Sequence, residues 1–224
     1  MTRTQEKKQS VFTLREDADS TVFYLTQEED LEEDARQMAL LLHAARCSLV
    51  TVPVRDWNRE LSPWEALPVF GDRAFGSGAP SFLDEVLATV RLVREKTGKQ
   101  QRAVLVGYSL AGLFALWAGT RTDAFAGIVA ASPSVWFPGF GDYRAAHPVA
   151  AQAVYLSLGD KEARTRNPVM ARVADAIREE DERLGAQGVP HVLEWNPGNH
   201  FQDPQGRTAK GILWTLEQIR KQEG

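Results

Sequence analysis

Two spacings of apolar residues alternate along the chain. Short runs rich in β-branched and aromatic residues, such as TVFYLT at residues 21–26 and SLVTVPV at residues 48–54, are typical of buried strands. Longer stretches carry apolar residues three or four positions apart, as in residues 80–97, where Phe82 and Val86 share one helical face. The pattern predicts strands at residues 10–14, 21–26, 48–54, 102–106, 125–131, 154–158 and 189–195, and helices at residues 30–46, 80–97, 109–120, 168–184 and 207–222.

The order of these elements predicts the architecture. Strands that alternate with helices form mainly parallel sheets, and each parallel pair requires a right-handed crossover. We therefore expect a doubly wound α/β fold, in which a mainly parallel sheet lies between two helical layers as a three-layer sandwich. A length of 224 residues suits one domain with a sizeable core. Residues 1–224 are expected to form that single domain, with the polar residues 1–9 disordered.

Composition and charge exclude several classes of partner. A net charge of −4 gives no basis for a nucleic-acid partner. No apolar run approaches the ~20 residues that a membrane-spanning helix needs, and the polar N-terminus lacks the apolar segment of a secretory signal. The single cysteine, Cys47, cannot form an internal disulfide, and the sequence has no metal-ligand spacing such as H-E-x-x-H. We expect a cytoplasmic protein without a metal or another cofactor.

The sharpest local signal is RAVLVGYSLAG at residues 102–112. An apolar strand leads into a tight turn and then a helix, which is the context of a nucleophile elbow centred on Ser109. Gly107 and Ala111, two residues to either side, are small enough for such a strained turn. The hydroxyl would lie at a helix N-terminus, where the backbone N–H of Leu110 can stabilise an oxyanion. The alternative is a serine that only caps the helix.

A serine nucleophile needs a general base, and His200 is the candidate. Reactive groups of open α/β sheets gather beyond the carboxyl ends of the strands, and His200 follows the last predicted strand at that edge. The remaining histidines are unsuitable, because His43 lies within a helix, His147 precedes a strand and His191 lies near the start of the last strand, at the opposite edge of the sheet. The alternative is a loop histidine that is bonded to the backbone.

Two acids compete to orient the imidazole of that base. The strand at residues 154–158 ends in Gly159, followed by Asp160, Lys161 and Glu162. An acid at this point gives the chain order serine, acid, histidine, as the elbow fold requires. Glu162 is the first choice, because an acid three residues after the strand-end glycine is a common hydrolase arrangement, and Asp160 is the alternative. Either acid could instead belong to a solvated turn.

Polar and aromatic residues near the same edge are candidates for a substrate pocket. Ser134 and Trp136 follow the strand at residues 125–131, and the long loop at residues 55–78 carries further aromatics. Those aromatics either line an apolar acyl or aryl pocket or pack the loop onto the sheet; they are Trp57, Trp64 and Phe75. Three arginines of the loop could favour an anionic substrate, although surface arginines are usually solvated; they are Arg55, Arg59 and Arg73.

Several segments together resemble the putative-esterase group of α/β-hydrolases, which includes esterase D and the enterochelin (trilactone siderophore) esterases. The matching segments are GYSLAG, SPSVWF, YLSLGDKE, GNHF and FGSGAPSFLDEVL, and the resemblance extends from about residue 21 to residue 214. It implies an α/β-hydrolase fold and cleavage of a small-molecule ester or thioester through an acyl-enzyme, without a metal. It carries over Ser109 and His200 as catalytic residues and Glu162 less firmly, because some siderophore esterases resemble serine–histidine dyads.

The chain departs from the group after its second predicted strand. The common His-Gly turn, which supplies the second oxyanion N–H, is replaced by Gln27-Glu28-Glu29-Asp30. That N–H is therefore expected from Thr26 or Gln27. Two alternatives to a general serine esterase stay open, namely a siderophore trilactone esterase and a non-catalytic α/β-hydrolase relative that binds a ligand or a partner.

Overall fold

The computed structural model describes residues 8–69 and 71–222, and within them the strands form one seven-stranded sheet in the order β1-β3-β2-β4-β5-β6-β7. β1 is antiparallel to β3, and every other neighbouring pair is parallel. The strands are β1 (Val11–Thr13), β2 (Ser20–Gln27), β3 (Cys47–Val54), β4 (Arg102–Tyr108), β5 (Gly127–Ala131), β6 (Ala153–Gly159) and β7 (His191–Asn196). Disorder was expected for residues 1–9. Residues 1–7 of this segment lie outside the described residues.

The helices cover both faces of the sheet. They are α1 (Leu31–Leu41), α2 (Trp57–Glu60), α3 (Ala79–Thr97), α4 (Leu110–Gly119), α5 (Phe140–Ala146), α6 (Val173–Ala186) and α7 (Pro204–Lys221). One core joins the sheet to α3, α4, α5 and α6, and a second core on the opposite face joins it to α1 and α7. The predicted doubly wound three-layer sandwich is therefore confirmed.

Register brings the carboxyl ends of the parallel strands to one edge of the sheet. Tyr108 at the end of β4 pairs with Ala131 at the end of β5. Gly159 at the end of β6 pairs with Asn196 at the end of β7. The loops that follow these four strands therefore leave the sheet side by side, and every predicted reactive side chain lies on one of them.

Several predicted boundaries are wrong, each for a local reason. The first predicted helix ends at Leu41, because the chain turns there, and the turn still buries Leu42 and Ala45. The last helix begins three residues earlier than predicted, at Pro204, because the Asp203 carboxylate caps it by accepting the N–H of Gly206 at 3.1 Å. The helix predicted at residues 168–184 begins with a 3₁₀ turn at Met170–Arg172.

The loop between β3 and α3 is less irregular than expected. The short helix α2 and an antiparallel bridge between Ala66 and Phe75 organise it. Helix α5 was also not predicted, since its seven residues are too few for a clear helical period. Among the described residues, no helix has the length and apolar character needed to cross a membrane.

Candidate active site

Ser109 occupies a strained turn between β4 and α4. Its backbone has φ 59° and ψ −122°, a conformation that residues other than glycine rarely adopt. The turn is held on both sides, because the Ser109 N–H donates to Ala131 O at 3.0 Å and Ser109 O accepts the N–H of Leu113 at 3.1 Å. Gly107 is required here, since a Cβ at that position would lie 2.2 Å from the carbonyl group of Ala111.

Three side chains from different loops form a continuous hydrogen-bonded chain. The Ser109 Oγ lies 3.0 Å from His200 Nε2, and His200 Nδ1 lies 2.7 Å from Glu162 Oε2. Because a carboxylate only accepts, the imidazole proton belongs on Nδ1, and Nε2 is free to accept the Ser109 hydroxyl proton. The Glu162 side chain is 4% exposed and that of His200 is 30% exposed, so the base is open to a substrate and the acid is not.

The Glu162 carboxylate is held by further donors on its other oxygen. Oε1 accepts the Gly159 N–H at 2.7 Å, the Ser132 hydroxyl at 2.7 Å and the Arg207 Nη1 at 3.2 Å. Burial alone would raise the pKa of this carboxyl group. The hydrogen bonds and charge from His200, with those from Ser132 and Gly159, outweigh burial and hold the pKa below its ordinary value.

Asp160, the alternative acid, points elsewhere. Its carboxylate accepts the Gly198 N–H at 2.7 Å, and the residue is exposed. It thereby fixes the loop that carries His200 without contacting the imidazole. Of the four histidines, His200 alone lines the cavity described below; His191 instead faces Asp181, with Nε2 and Oδ1 3.4 Å apart.

Two backbone N–H groups are candidates for an oxyanion hole. Leu110 is the first residue of α4, so its N–H has no partner within the helix. Directly after β2, the Glu28 N–H donates to Val54 O of β3 at 3.0 Å. Because successive residues of an extended chain point their N–H groups to opposite sides, that of Gln27 points to the side of β4, whereas that of Thr26 points to the side of β3. The Thr26 hydroxyl is in turn hydrogen-bonded to Asp34.

A cavity of about 690 Å³ opens over Ser109 and His200, a size typical of sites for small molecules. Its wall is apolar on the side formed by Trp57, Trp136, Met170 and Val173. Polar residues also line the cavity, namely Gln27, Asp30, Asp34 and Gln205.

Of the five residues predicted to bind substrate, Trp57, Ser134 and Trp136 line the cavity, and Arg55 and Phe75 do not. Arg55 forms ion pairs within its own loop and with α3, to Glu60 at 2.9 Å and Glu85 at 2.5 Å.

The aromatics that miss the cavity pack the loop onto the domain. Phe75 is buried with its ring centroid 5.0 Å from that of Phe137. Trp64 also lies outside the cavity, where its indole N–H donates to Pro138 O at 2.9 Å. The interpretation of the aromatics as loop packing therefore fits Phe75 and Trp64.

Two residues that sequence reasoning missed complete the site. Arg207 on α7 is 2% exposed and contacts Glu162, as given above. Tyr108, next to the serine, donates its hydroxyl to His200 O at 2.6 Å, and its ring centroid lies 5.2 Å from that of the imidazole. The tyrosine stood inside the elbow motif, so its position gave a signal, whereas Arg207 gave none beyond a polar residue on an amphipathic helix.

A mainly parallel sheet with an elbow after one central strand, and with an acid and a histidine after later strands, defines the α/β-hydrolase class. Residues 16–203 match the model of the family described as putative esterase. The chain belongs to this family and is an ester-cleaving hydrolase, as the resemblance of its motifs implied.

Solved structures share the fold at low sequence identity. The siderophore hydrolase EstA from Aspergillus nidulans is 21% identical over 89% of this chain and 83% of that one, with a TM-score of 0.62. An IroE-like serine hydrolase from Shewanella oneidensis is 17% identical over 91% and 73%, with a TM-score of 0.71. The fluorophosphonate-binding serine hydrolase FphF from Staphylococcus aureus is 13% identical over 91% and 86%, with a TM-score of 0.61. No curated protein sequence matches the chain.

Proposed function

We propose that this esterase cleaves small carboxylic esters through an acyl-enzyme, with Ser109 as nucleophile, His200 as general base and Glu162 as the residue that orients the base. The observation that carries the proposal is the chain of contacts at 3.0 Å and 2.7 Å that joins these three side chains at the floor of a cavity.

Acylation begins when the Ser109 Oγ attacks the ester carbonyl carbon and its proton passes to His200 Nε2. Glu162 stabilises the imidazolium that forms. The carbonyl oxygen becomes an oxyanion, which accepts the N–H groups of Leu110 and Gln27. When the tetrahedral intermediate collapses, the bond to the leaving alkoxide breaks, and the imidazolium donates its proton to that oxygen.

Deacylation repeats these steps with water as nucleophile. His200 Nε2 takes a proton from water while the hydroxide attacks the acyl carbon, and the same proton then returns to Ser109 Oγ as the carboxylic acid leaves. The exposed 30% of the His200 side chain allows water to reach the ring once the alcohol has departed. No step requires a group other than side chains, backbone N–H groups and water.

Replacement of the nucleophile tests this proposal. Ser109→Ala should reduce turnover of p-nitrophenyl acetate by at least ~10³-fold while circular dichroism and the unfolding temperature stay those of a folded protein. Ser81→Ala is the matched control and should keep wild-type turnover, because Ser81 is exposed on α3 and does not line the cavity. Wild-type turnover by Ser109→Ala would remove this serine from the mechanism and favour a non-catalytic role for the elbow.

A siderophore trilactone esterase is the second candidate, since two of the structural relatives above are a siderophore hydrolase and an IroE-like hydrolase by name. The charges of the cavity favour simple esters over an anionic iron complex. Asp30 and Asp34 line the cavity, whereas Arg55 does not. Comparison of kcat/KM for a ferric trilactone and for short acyl esters separates the two candidates, and a preference for the ferric complex would reverse their order.

A further inference from the structure

One buried guanidinium contacts four of the segments that build the site. Arg207 Nη1 donates to Glu162 Oε1 at 3.2 Å, to the Tyr108 hydroxyl at 3.4 Å and to Ser132 Oγ at 3.5 Å. Its Nη2 donates to Pro197 O at 2.8 Å, in the loop that leads to His200. These partners follow or end β4, β5, β6 and β7, so a single side chain on α7 ties the four strand ends together.

The first consequence concerns the orientation of the Glu162 carboxylate. With Arg207, Oε1 accepts three donors, the others being Gly159 and Ser132, whereas Oε2 accepts the His200 Nδ1–H. A carboxylate that can rotate would share its oxygens among these donors. The donors on Oε1 fix the rotation and reserve Oε2 for the imidazole.

The second consequence concerns charge. A buried carboxylate is costly unless an opposite charge and hydrogen bonds compensate it. When the imidazole is neutral, the remaining donors to Glu162 are neutral backbone and hydroxyl groups, and Arg207 is the cation in contact with it. The acid can therefore stay ionised through the part of the cycle in which His200 carries no charge.

The third consequence concerns the histidine itself. The Tyr108 oxygen that accepts from Arg207 also donates to His200 O at 2.6 Å. Arg207 is thus connected to His200 by two hydrogen-bonded paths. One runs through the Glu162 carboxylate to His200 Nδ1, and the other runs through the Tyr108 hydroxyl to the His200 carbonyl oxygen. Each route limits one way in which the ring could move away from Ser109.

We propose that Arg207 is a positioning residue of this esterase, which acts on the reaction by holding Glu162 in the orientation that directs His200 at Ser109. The proposal rests on the proposed function above. Arg207 does not line the cavity, so it affects the rate of the chemical steps and not the binding of the ester.

A double-mutant cycle with Glu162 tests the proposal. Arg207→Met should lower kcat by on the order of 10²-fold, as small displacements of catalytic groups do, and leave KM within about threefold of wild type. In a Glu162→Gln background the same change should lower kcat by less than about threefold. The glutamine no longer orients His200 for catalysis, so the loss of Arg207, which acts by holding the side chain at position 162, has little further effect. An equal loss in both backgrounds would overturn the proposal.

A second buried arginine supplies the matched control for loss of stability. Arg144, on α5, donates to Glu180 at 2.7 Å with both side chains at most 1% exposed, and neither residue lines the cavity. Arg144→Met should lower the unfolding temperature without a loss of kcat per folded enzyme. A loss of kcat in Arg144→Met equal to that in Arg207→Met would show a general effect of destabilisation and overturn the proposal.

Arg207→Lys keeps the experiment decisive if Arg207→Met does not fold. Lysine retains the charge but has one nitrogen in place of the two with which Arg207 contacts Glu162 and Pro197, so kcat should fall with KM unchanged, and this loss should also vanish in the Glu162→Gln background. A lysine variant with wild-type kcat would contradict the proposal. Turnover that survives Ser109→Ala would instead refute the proposed function, so the two failures are distinguishable.

Discussion

Replacement of Glu162 by glutamine should almost abolish turnover, although the side chain keeps its shape. Three donors converge on Oε1, from Gly159, Ser132 and Arg207. The amide oxygen must occupy that position, because an NH₂ group there would face only donors. The NH₂ group then takes the place of Oε2, where it meets His200 Nδ1.

The size of the effect follows from the tautomer that this contact imposes. A donor opposite Nδ1 forces the imidazole to carry its proton on Nε2, the atom that must accept the Ser109 proton. Hydrolases with the wrong tautomer lose about 10⁴-fold in kcat, or about 5 kcal/mol of transition-state stabilisation. Hydrolysis of p-nitrophenyl acetate at neutral pH, normalised to folded protein, measures this loss.

Asp160→Asn is the control for this change. The asparagine oxygen can still accept the Gly198 N–H, which Asp160 accepts at 2.7 Å, so kcat should stay within about threefold of wild type. A Glu162→Gln enzyme with more than about a tenth of wild-type kcat would refute the argument from geometry and favour a serine–histidine dyad. A larger loss in Asp160→Asn than in Glu162→Gln would reassign the acid.

Three further predictions follow from contacts and charge. Gly107→Ala should lower the free energy of unfolding in urea by at least ~2 kcal/mol, because the new Cβ would lie 2.2 Å from the Ala111 carbonyl. In the control Gly141→Ala the nearest atom to the new Cβ is 3.9 Å away, so stability should change by less than about 1 kcal/mol. Equal losses in the two variants would contradict this. Because folding lowers the pKa of Glu162, the unfolded chain binds more protons at this group than the folded protein does as the pH falls below about 4.5. Wild type should therefore lose stability more steeply than Glu162→Gln as the pH falls from about 5 to 3. Parallel curves of stability against pH would contradict this. Arg55→Ala should leave the ratio of the KM values for an anionic and a neutral ester unchanged, because Arg55 forms its ion pairs outside the cavity. A changed ratio would show that Arg55 takes part in substrate binding.

The sequence carried enough information to predict where Ser109 and His200 lie. A strand, a tight turn with small neighbours and a helix leave few alternatives for the serine, and a parallel sheet brings its strand ends to one edge. The choice between Glu162 and Asp160 needed coordinates, because both follow β6 within three residues. The turn decides it: the Glu162 N–H returns to Gly159 O at 3.1 Å, and this directs its side chain inward. The catalytic roles of these residues stay predictions.

Long-range contacts account for most of what the sequence could not predict. Arg207 lies 45 positions from Glu162 along the chain, and a lone arginine on an amphipathic helix indicates a solvated position. Arg55 was expected near the substrate because its loop leaves β3 at the active edge, but the side chain turns toward Glu60 and Glu85. The single domain and the cytoplasmic location stay predictions as well.

Trapping of the acyl-enzyme identifies the side chain that takes the acyl group from the ester. The enzyme is mixed with excess p-nitrophenyl acetate, quenched in acid within milliseconds and digested for peptide mass spectrometry. We expect one acetyl group per chain, located on Ser109, and none on that peptide in Ser109→Ala. An acetyl group located on another residue that turns over at the rate of catalysis would contradict this.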